Sequence, residues 1–168
     1  MLIDHEGCPL CRPNPKNILF DSNSFYLMTS KSAGDTLIIP KGHCRTMADL
    51  PEEIIGEFEE MRCLVKRILR VDFGSCVFYE HTGGGSAWAF VGHGDGHGHA
   101  HLHCAPAVNG LLSTLPESCL PTEVDSWREI LDSRRGGENY FYFEDKNDKK
   151  FVVLVTEGGE SLAKDIMT

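Results

Sequence analysis

The first part of the chain alternates between short apolar runs and clusters of turn-forming residues. Short runs of aromatic and β-branched residues that are bounded by serine, asparagine or glycine are typical of β-strands. The pattern predicts a hairpin whose strands are residues 17–21 and 25–29, followed by a third strand at residues 36–40. The prolines that precede the hairpin predict a loop, because proline fixes φ and removes a backbone donor.

Residues 51–70 have the composition and spacing of an amphipathic helix. The segment opens with Pro51 and two glutamates and closes with basic residues, an order that the helix dipole favours. Apolar side chains recur at helical spacing from Ile54 to Leu69. We therefore expect a helix that buries one broad face against a sheet.

The second half of the chain predicts two more strands, a helix and a hairpin. In chain order, these are a strand at 74–80, a glycine-dense stretch at 83–98, a strand at 99–104, a helix at 122–133, and a hairpin of strands 140–144 and 151–156. The whole order predicts an α+β fold with a meandering antiparallel sheet. We expect residues 1–110 to form the main domain and residues 111–168 to pack on it as a C-terminal helix-hairpin extension.

Composition and charge narrow the class of protein. Of the 168 residues, 41% are hydrophobic and 24% are charged, proportions typical of a globular domain and not of a disordered chain. The chain has 16 Lys and Arg against 25 Asp and Glu, a net charge of -9. This balance lacks the basic footprint of a general nucleic-acid-binding protein.

The sequence also indicates a cellular compartment. No apolar run approaches the roughly 18 residues that span a bilayer, and the first residues lack a basic start followed by an apolar signal core. Seven cysteines, an odd number, are scattered along the chain, which favours reduced thiols over a disulfide framework. We expect a cytoplasmic protein with no membrane partner.

Five of the eight histidines lie between positions 93 and 103, and the last three alternate with small or apolar residues. In a strand, His99, His101 and His103 would share one face at spacings of roughly 6.5 to 7 Å, facing a cleft or solvent, while the residues between them face a core. Such a row could bind a metal ion, or divide nucleophilic and phosphate-orienting work. The alternation is also compatible with exposed histidines that have no task, or with an unspecific metal-chelating tract.

Cys8 and Cys11 are separated by two residues, a gap that lets two thiolates reach one zinc ion at about 2.3 Å each. The alternatives are an incidental pair in a loop, or a thioredoxin-like redox pair, although the βαβ pattern that such a pair needs does not follow. His43, after the third strand, and His99 could complete a tetrahedral Cys2His2 site.

Three segments together resemble the histidine-triad (HIT) family. They are residues 35–43 (DTLIIPKGH), residues 50–53 (LPEE) and residues 99–106 (HAHLHCAP). The resemblance covers residues 5–106 and implies a HIT-like fold, with a meandering antiparallel sheet and one long helix. It also implies a homodimer and a small-molecule nucleotide substrate.

Two further similarities place the chain more finely within that family. The paired cysteines are similar to its zinc-binding branch, in which the positions of Cys8, Cys11, His43 and His99 hold a structural zinc ion. Residues 78–81, Trp127 and residues 140–142 are similar to a bacterial branch with a C-terminal extension.

The resemblance implies hydrolysis or transfer at the α-phosphate of a nucleotide conjugate, such as a dinucleoside polyphosphate or a nucleoside phosphoramidate. His101 would be the nucleophile that forms a nucleotidyl-histidine intermediate. His103 would donate to a non-bridging phosphoryl oxygen, and His99 would orient His101 through its main-chain carbonyl. With four protein ligands, the zinc ion would have no open position for activating water.

The glycine-rich stretch before the triad suggests a phosphate-binding turn. Gly96, His97 and Gly98 are its candidate substrate-binding residues, because successive backbone N–H groups in such a turn can form a nest for an anion. The alternative for the same stretch is a surface loop with solvated histidines.

Two departures from the family pattern favour a second function, although the intact His101 counts against it. Asp95 stands where many members have a polar amide, and Leu27 or Met28 stands where many members have a ribose-binding acid. These changes suit a nucleotide-binding regulatory module with negligible turnover. A third hypothesis is a metal-buffering protein, which would bind several metal ions per chain through residues 93–103.

Overall fold

The computed structural model describes residues 6–30, 35–82, 98–106, 120–133 and 139–155. The strands of this part are β1 (Ile18–Asp21), β2 (Phe25–Thr29), β3 (Thr36–Pro40), β4 (Cys76–His81), β5 (Leu102–Pro106), β6 (Thr122–Val124), β7 (Asn139–Glu144) and β8 (Lys150–Val155). Its α-helices are α1 (Glu52–Phe73) and α2 (Trp127–Ser133), and short 3-10 helices lie at Pro15–Asn17 and Met47–Asp49.

All eight strands belong to one antiparallel sheet in the order β1-β2-β3-β5-β4-β7-β8-β6. The α+β class and the antiparallel sheet are therefore confirmed. Strands from both predicted parts of the chain lie in this sheet, since β4 pairs with β5 on one edge and with β7 on the other. The domain boundary near residue 110 lies outside the described residues and stays a prediction.

Helix α1 matches the predicted amphipathic helix and ends three residues later. Its apolar face places Phe58, Met61, Val65 and Leu69 in the core at spacings of three and four residues. The helix ends where Gly74 takes a φ of 80° and its N–H bonds to the carbonyl of Arg70. A positive φ at this position favours glycine, as at many helix C-termini.

The two faces of the sheet have different surroundings. The main core lies between α1, α2 and one face of the sheet, and includes the side chains of Ile38, Leu102 and Tyr142. The opposite face has two smaller apolar clusters, one around Leu37 on β3 and one around Phe141 on β7. The surface between these two clusters is where β5 and β4 present every second side chain.

The predicted helix at 122–133 is wrong in its first part. Residues Thr122–Val124 form β6 and pair with β8, because β-branched side chains fit a pleated edge. The helix begins only at Trp127, after a turn in which the hydroxyl of Ser126 accepts the N–H of Glu129 at 3.3 Å and the Glu129 carboxylate accepts the N–H of Asp125 at 2.9 Å. This reciprocal capping sets the helix start.

The C-terminal hairpin is confirmed as β7 and β8. Its turn is held by Asp145, whose Oδ1 accepts the N–H groups of Asn147 and Lys149 at 2.8 and 2.9 Å. Among the cysteines that the structure describes, none is joined in a disulfide. No helix in the described ranges is long and apolar enough to cross a membrane.

Candidate functional site

The predicted strand at 99–104 begins three residues later than expected, with Leu102. The ladder between β5 and β3 stops at the pair Leu102 and Ile38, because Pro40 has no N–H to offer further along β3. The N–H of Ala100 bonds instead to the carbonyl of Cys44 at 2.8 Å. His99 therefore does not continue the row of histidines, and its ring lies apart from the other two.

The side chains of Cys8, Cys11, His43 and His99 form one cluster, in which one ligand atom from each lies within 4.8 Å of the others. Nδ1 of His99 is 3.3 Å from Sγ of Cys8 and 3.4 Å from Sγ of Cys11, and Nδ1 of His43 is 3.5 Å from Sγ of Cys11. A tetrahedral metal ion with ordinary bonds to sulfur and nitrogen separates such atoms by about 3.6 Å. The four residues are thus close enough to share one metal ion.

The tautomer of His99 also suits a metal ligand. Its Nε2 lies 2.9 Å from the carbonyl oxygen of Pro40. A carbonyl only accepts, so Nε2 donates and Nδ1 presents its lone pair to the two sulfur atoms. Metal-binding histidines commonly donate their second ring N–H to a carbonyl or carboxylate in this way. The cluster could therefore bind a metal ion through two thiolates and two imidazoles.

The other two triad histidines belong to a second cluster on the sheet face opposite α1. The rings of His101 and His103 are 5.0 Å apart, and one ring nitrogen from each lies within 4.8 Å of a ring nitrogen of His81. His101 and His103 are buried rather than facing solvent, with 8% and 2% of their surface exposed. These two imidazoles therefore do not face open solvent, and the alternative of a cleft stays a prediction.

The main chain fixes the orientation of His101. Its Nδ1 lies 2.8 Å from the carbonyl oxygen of His99. Because the carbonyl accepts, Nδ1 holds the proton and the lone pair of the neutral imidazole is on Nε2. A neutral imidazole with this tautomer can act as a nucleophile without first losing a proton.

His103 is held by an acid and an aromatic ring. Tyr79 stacks on it with ring centroids 4.5 Å apart and an angle of 8° between the planes. The Tyr79 hydroxyl donates to Oδ2 of Asp35 at 2.8 Å, and the same oxygen is 3.6 Å from Nδ1 of His103. Burial raises the pKa of the Tyr79 hydroxyl, and the Asp35 carboxylate raises it further, so the hydroxyl stays a donor.

Asp35 and Tyr79 were not predicted as site residues, and His81 was not placed beside the triad. The alternation of β4 puts Tyr79 and His81 on one face, which the sequence indicates. The missing information is the register, in which Tyr79 lies directly opposite His103. Register between strands that are far apart in sequence depends on the whole sheet, so local pattern does not supply it.

The predicted substrate-binding turn is described only at its end. Gly98 has a φ of 40°, a left-handed conformation that favours glycine. Gly96, His97 and Asp95 lie outside the described residues. Leu27 and Met28 are buried in apolar clusters on opposite faces of β2, so the second strand presents no acid at these positions.

Comparisons with known proteins found similarity among solved structures and no match among sequences. No protein-family model matches the chain, and no curated protein matches it. A solved structure of a HIT family hydrolase from Clostridium thermocellum aligns with a TM-score of 0.42 and 21% identity, covering 62% of this chain and 94% of that one.

Proposed function

We propose that this protein is a hydrolase or nucleotidyltransferase that acts at the α-phosphate of a nucleotide conjugate through a nucleotidyl-histidine intermediate on His101. The observation that best supports this function is the 2.8 Å contact between Nδ1 of His101 and the His99 carbonyl. It assigns the nucleophilic lone pair to Nε2, inside a pocket of other imidazoles.

In the first step, Nε2 of His101 attacks the α-phosphorus and the bond from phosphorus to the leaving group breaks. The carbonyl of His99 stabilises the positive charge that develops on the imidazole ring, because it accepts a hydrogen bond from the Nδ1–H group throughout. In the second step, water or another acceptor attacks the same phosphorus, and the electron pair returns to Nε2.

His103 stabilises the phosphoryl oxygens in both steps. The Asp35 carboxylate lies 3.6 Å from Nδ1 of His103 and helps to orient the ring. A ring N–H of His103 donates to a non-bridging oxygen. The stacked ring of Tyr79 prevents the imidazole from turning away. Preorganised donors of this kind stabilise the charge that develops in a transition state.

The choice of a nucleotide conjugate follows from the resemblance of residues 35–43 and 99–106 to the HIT family. Dinucleoside polyphosphates and nucleoside phosphoramidates share the first step, so both belong to the proposed substrate class. The same resemblance supports a homodimer, and the odd number of scattered cysteines favours a cytoplasmic location.

We assign a structural zinc ion to Cys8, Cys11, His43 and His99. Two thiolates with two imidazoles are a typical zinc donor set, and the nitrogen-to-sulfur distances of 3.3 to 3.5 Å suit its size. When bound, zinc would cross-link the N-terminal loop to His99, two residues before the nucleophile. It would supply no activated water, since four protein ligands close the site.

The test is turnover of a panel of dinucleoside polyphosphates, nucleoside phosphoramidates and nucleotide sugars by the unmodified protein and by His101→Asn. Asparagine can still donate to the His99 carbonyl but has no nucleophilic ring nitrogen, so we expect it to remove turnover while nucleotide binding persists. Nucleotide binding without turnover by either protein would instead support the regulatory module. The same turnover by both would exclude His101 as the nucleophile.

A further inference from the structure

His81 lies beside the proposed nucleophile without a role in the mechanism above. It is the last residue of β4, and its ring lies 6.0 Å from that of His101 at an angle of 87°, and 5.9 Å from that of His103. One nitrogen from each of the three rings lies within 4.8 Å of the others. A phosphoryl group bound to His101 would therefore be within reach of His81.

The neighbours of His81 hold its backbone in place. The residue before it, Glu80, accepts the N–H of Met47 at 2.8 Å and the hydroxyl of Tyr140 at 2.5 Å. The residue after it, Thr82, donates its N–H to the Tyr140 carbonyl at 2.9 Å, and its hydroxyl oxygen accepts the Tyr140 N–H at 2.7 Å. A side chain on such a fixed strand end keeps its position relative to its neighbours, as precise chemistry requires.

The other described histidines have different tasks. His43 and His99 direct their Nδ1 atoms to the sulfur of Cys11, and the ring of His103 is aligned by Asp35 and Tyr79. Nδ1 of His101 keeps its proton and donates it in a hydrogen bond to the His99 carbonyl. A ring nitrogen of His81 lies within 4.8 Å of ring nitrogens of His101 and His103, so His81 is placed to exchange a proton with the reacting groups.

We propose that His81 is the general acid and base of this site, an inference that rests on the proposed function. As the bond from Nε2 of His101 to phosphorus forms, the bond to the leaving atom breaks, and that atom takes the electron pair and a proton from protonated His81. Neutral His81 then removes a proton from water as the water attacks phosphorus. The phosphorus–nitrogen bond breaks, its electron pair returns to His101, and His81 is protonated again.

A general acid matters most when the leaving group is a strong base. An amine or an alkoxide leaves poorly without a proton, whereas a nitrophenolate leaves readily as an anion. Loss of His81 should therefore affect these two kinds of substrate differently. A residue that only supports the fold would affect both kinds equally.

The experiment measures the single-turnover rate of adduct formation by the unmodified protein and by His81→Gln, with a nucleoside phosphoramidate of an alkylamine and with a nitrophenyl ester of a nucleotide. We expect the variant to lose roughly 100-fold or more with the alkylamine substrate, but less than about 5-fold with the nitrophenyl ester. Metal content and thermal unfolding of the variant confirm that it is folded.

A second variant, His81→Ala, tests proton transfer without the contribution of a glutamine side chain. In His81→Ala, free imidazole in solution should restore part of the rate with the alkylamine substrate and none with the nitrophenyl ester. Equal losses with both substrates, or no rescue by imidazole, would overturn the role of His81 and leave the nucleophile intact. Absence of any adduct on the unmodified protein, with both substrates, would overturn the proposed function together with this inference.

Discussion

His99 serves the site through two different parts of the same residue. Its ring lies with the cysteines of the N-terminal loop, while its carbonyl oxygen orients His101. The cluster of Cys8, Cys11, His43 and His99 is thus connected to the proposed nucleophile through His99. Loss of a ligand from this cluster should therefore lower the rate of the reaction at His101.

Replacing Cys8 with serine tests this connection. Cys8→Ser removes one thiolate, and we expect zinc affinity to fall by more than about 100-fold, because even residues that only support a ligand contribute 10- to 100-fold. The rate of adduct formation should fall as well, since His99 is no longer held by the metal. Metal analysis and single-turnover kinetics measure the two effects.

The matched control is Cys63→Ser, which replaces an exposed cysteine on α1. We expect it to keep about one zinc ion per chain, the stoichiometry of a single four-ligand site. Several ions per chain would favour the metal-buffering hypothesis. Loss of zinc from Cys8→Ser with an unchanged adduct rate would show that His99 does not couple the two clusters.

Tyr79→Phe separates the two contributions of Tyr79 to the site. The substitution keeps the ring that stacks on His103 and removes the hydroxyl that donates to Asp35. A single hydrogen bond is worth about 1 kcal/mol, so we expect kcat to fall by about 5-fold. Tyr26→Phe, on β2 in the apolar cluster around Leu37, is the control and should keep full activity. Equal kcat values for both variants would contradict a role for the hydroxyl.

At the scale of elements, a row of cations connects α1 to the C-terminal hairpin. Arg62 lies 2.5 Å from the fully buried carboxylate of Glu144, which Lys66 also contacts, and Arg70 lies 2.6 Å from Asp148. Burial alone would lower the pKa of Arg62, but the carboxylates of Glu144 and Glu59 outweigh it and raise that pKa. These charges stabilise the hairpin against the helix as long as every partner is present.

Glu144→Gln should therefore destabilise the protein much more than Asp148→Asn. The first change removes the buried carboxylate that Arg62 and Lys66 share and leaves Arg62 with Glu59 alone, which costs about 3 to 5 kcal/mol. The second affects a half-exposed ion pair worth less than about 1 kcal/mol. Urea unfolding at neutral pH measures the free energy of unfolding of each variant. Similar losses of stability in the two variants would show that the buried ion pairs of Glu144 contribute no more than the half-exposed pair of Asp148.

How far sequence predicts structure here depends on whether an element is local. Helix α1 and the first three strands follow from periodicity and turn residues within each segment. Strand β6 does not, because its pairing with β8 bridges distant parts of the chain. The cysteine spacing and the family resemblance predicted that Cys8, Cys11, His43 and His99 lie together, whereas Asp35 and His81 joined the site only through the register of the sheet.

At the scale of the whole molecule, the sheet joins the N-terminal and C-terminal parts of the chain. Strand β4 connects the two parts, because it pairs with β5 on one edge and with β7 on the other. The outer strands of the described sheet are β1 and β6. A homodimer, which the family resemblance implies, could extend the sheet only through β1 or β6. It remains a prediction.

A continuous sheet also predicts one cooperative unfolding transition. Trp127 packs against Phe58 on α1 and Tyr142 on β7, so its fluorescence reports contact between the two parts. In a Trp88→Phe variant, which leaves Trp127 as the sole tryptophan, fluorescence and far-ultraviolet circular dichroism should change at the same urea concentration. Two separate transitions would show that residues 111–168 form an independent unit.

The proposed mechanism requires a covalent bond between the nucleotide and His101. The most direct measurement is to stop turnover with alkali, because phosphorus–nitrogen bonds are labile to acid, and then to locate the adduct by peptide mass spectrometry. We expect one nucleotidyl group on the peptide that contains His101, and none in His101→Asn. Full turnover without an adduct, or an adduct on another residue, would contradict it.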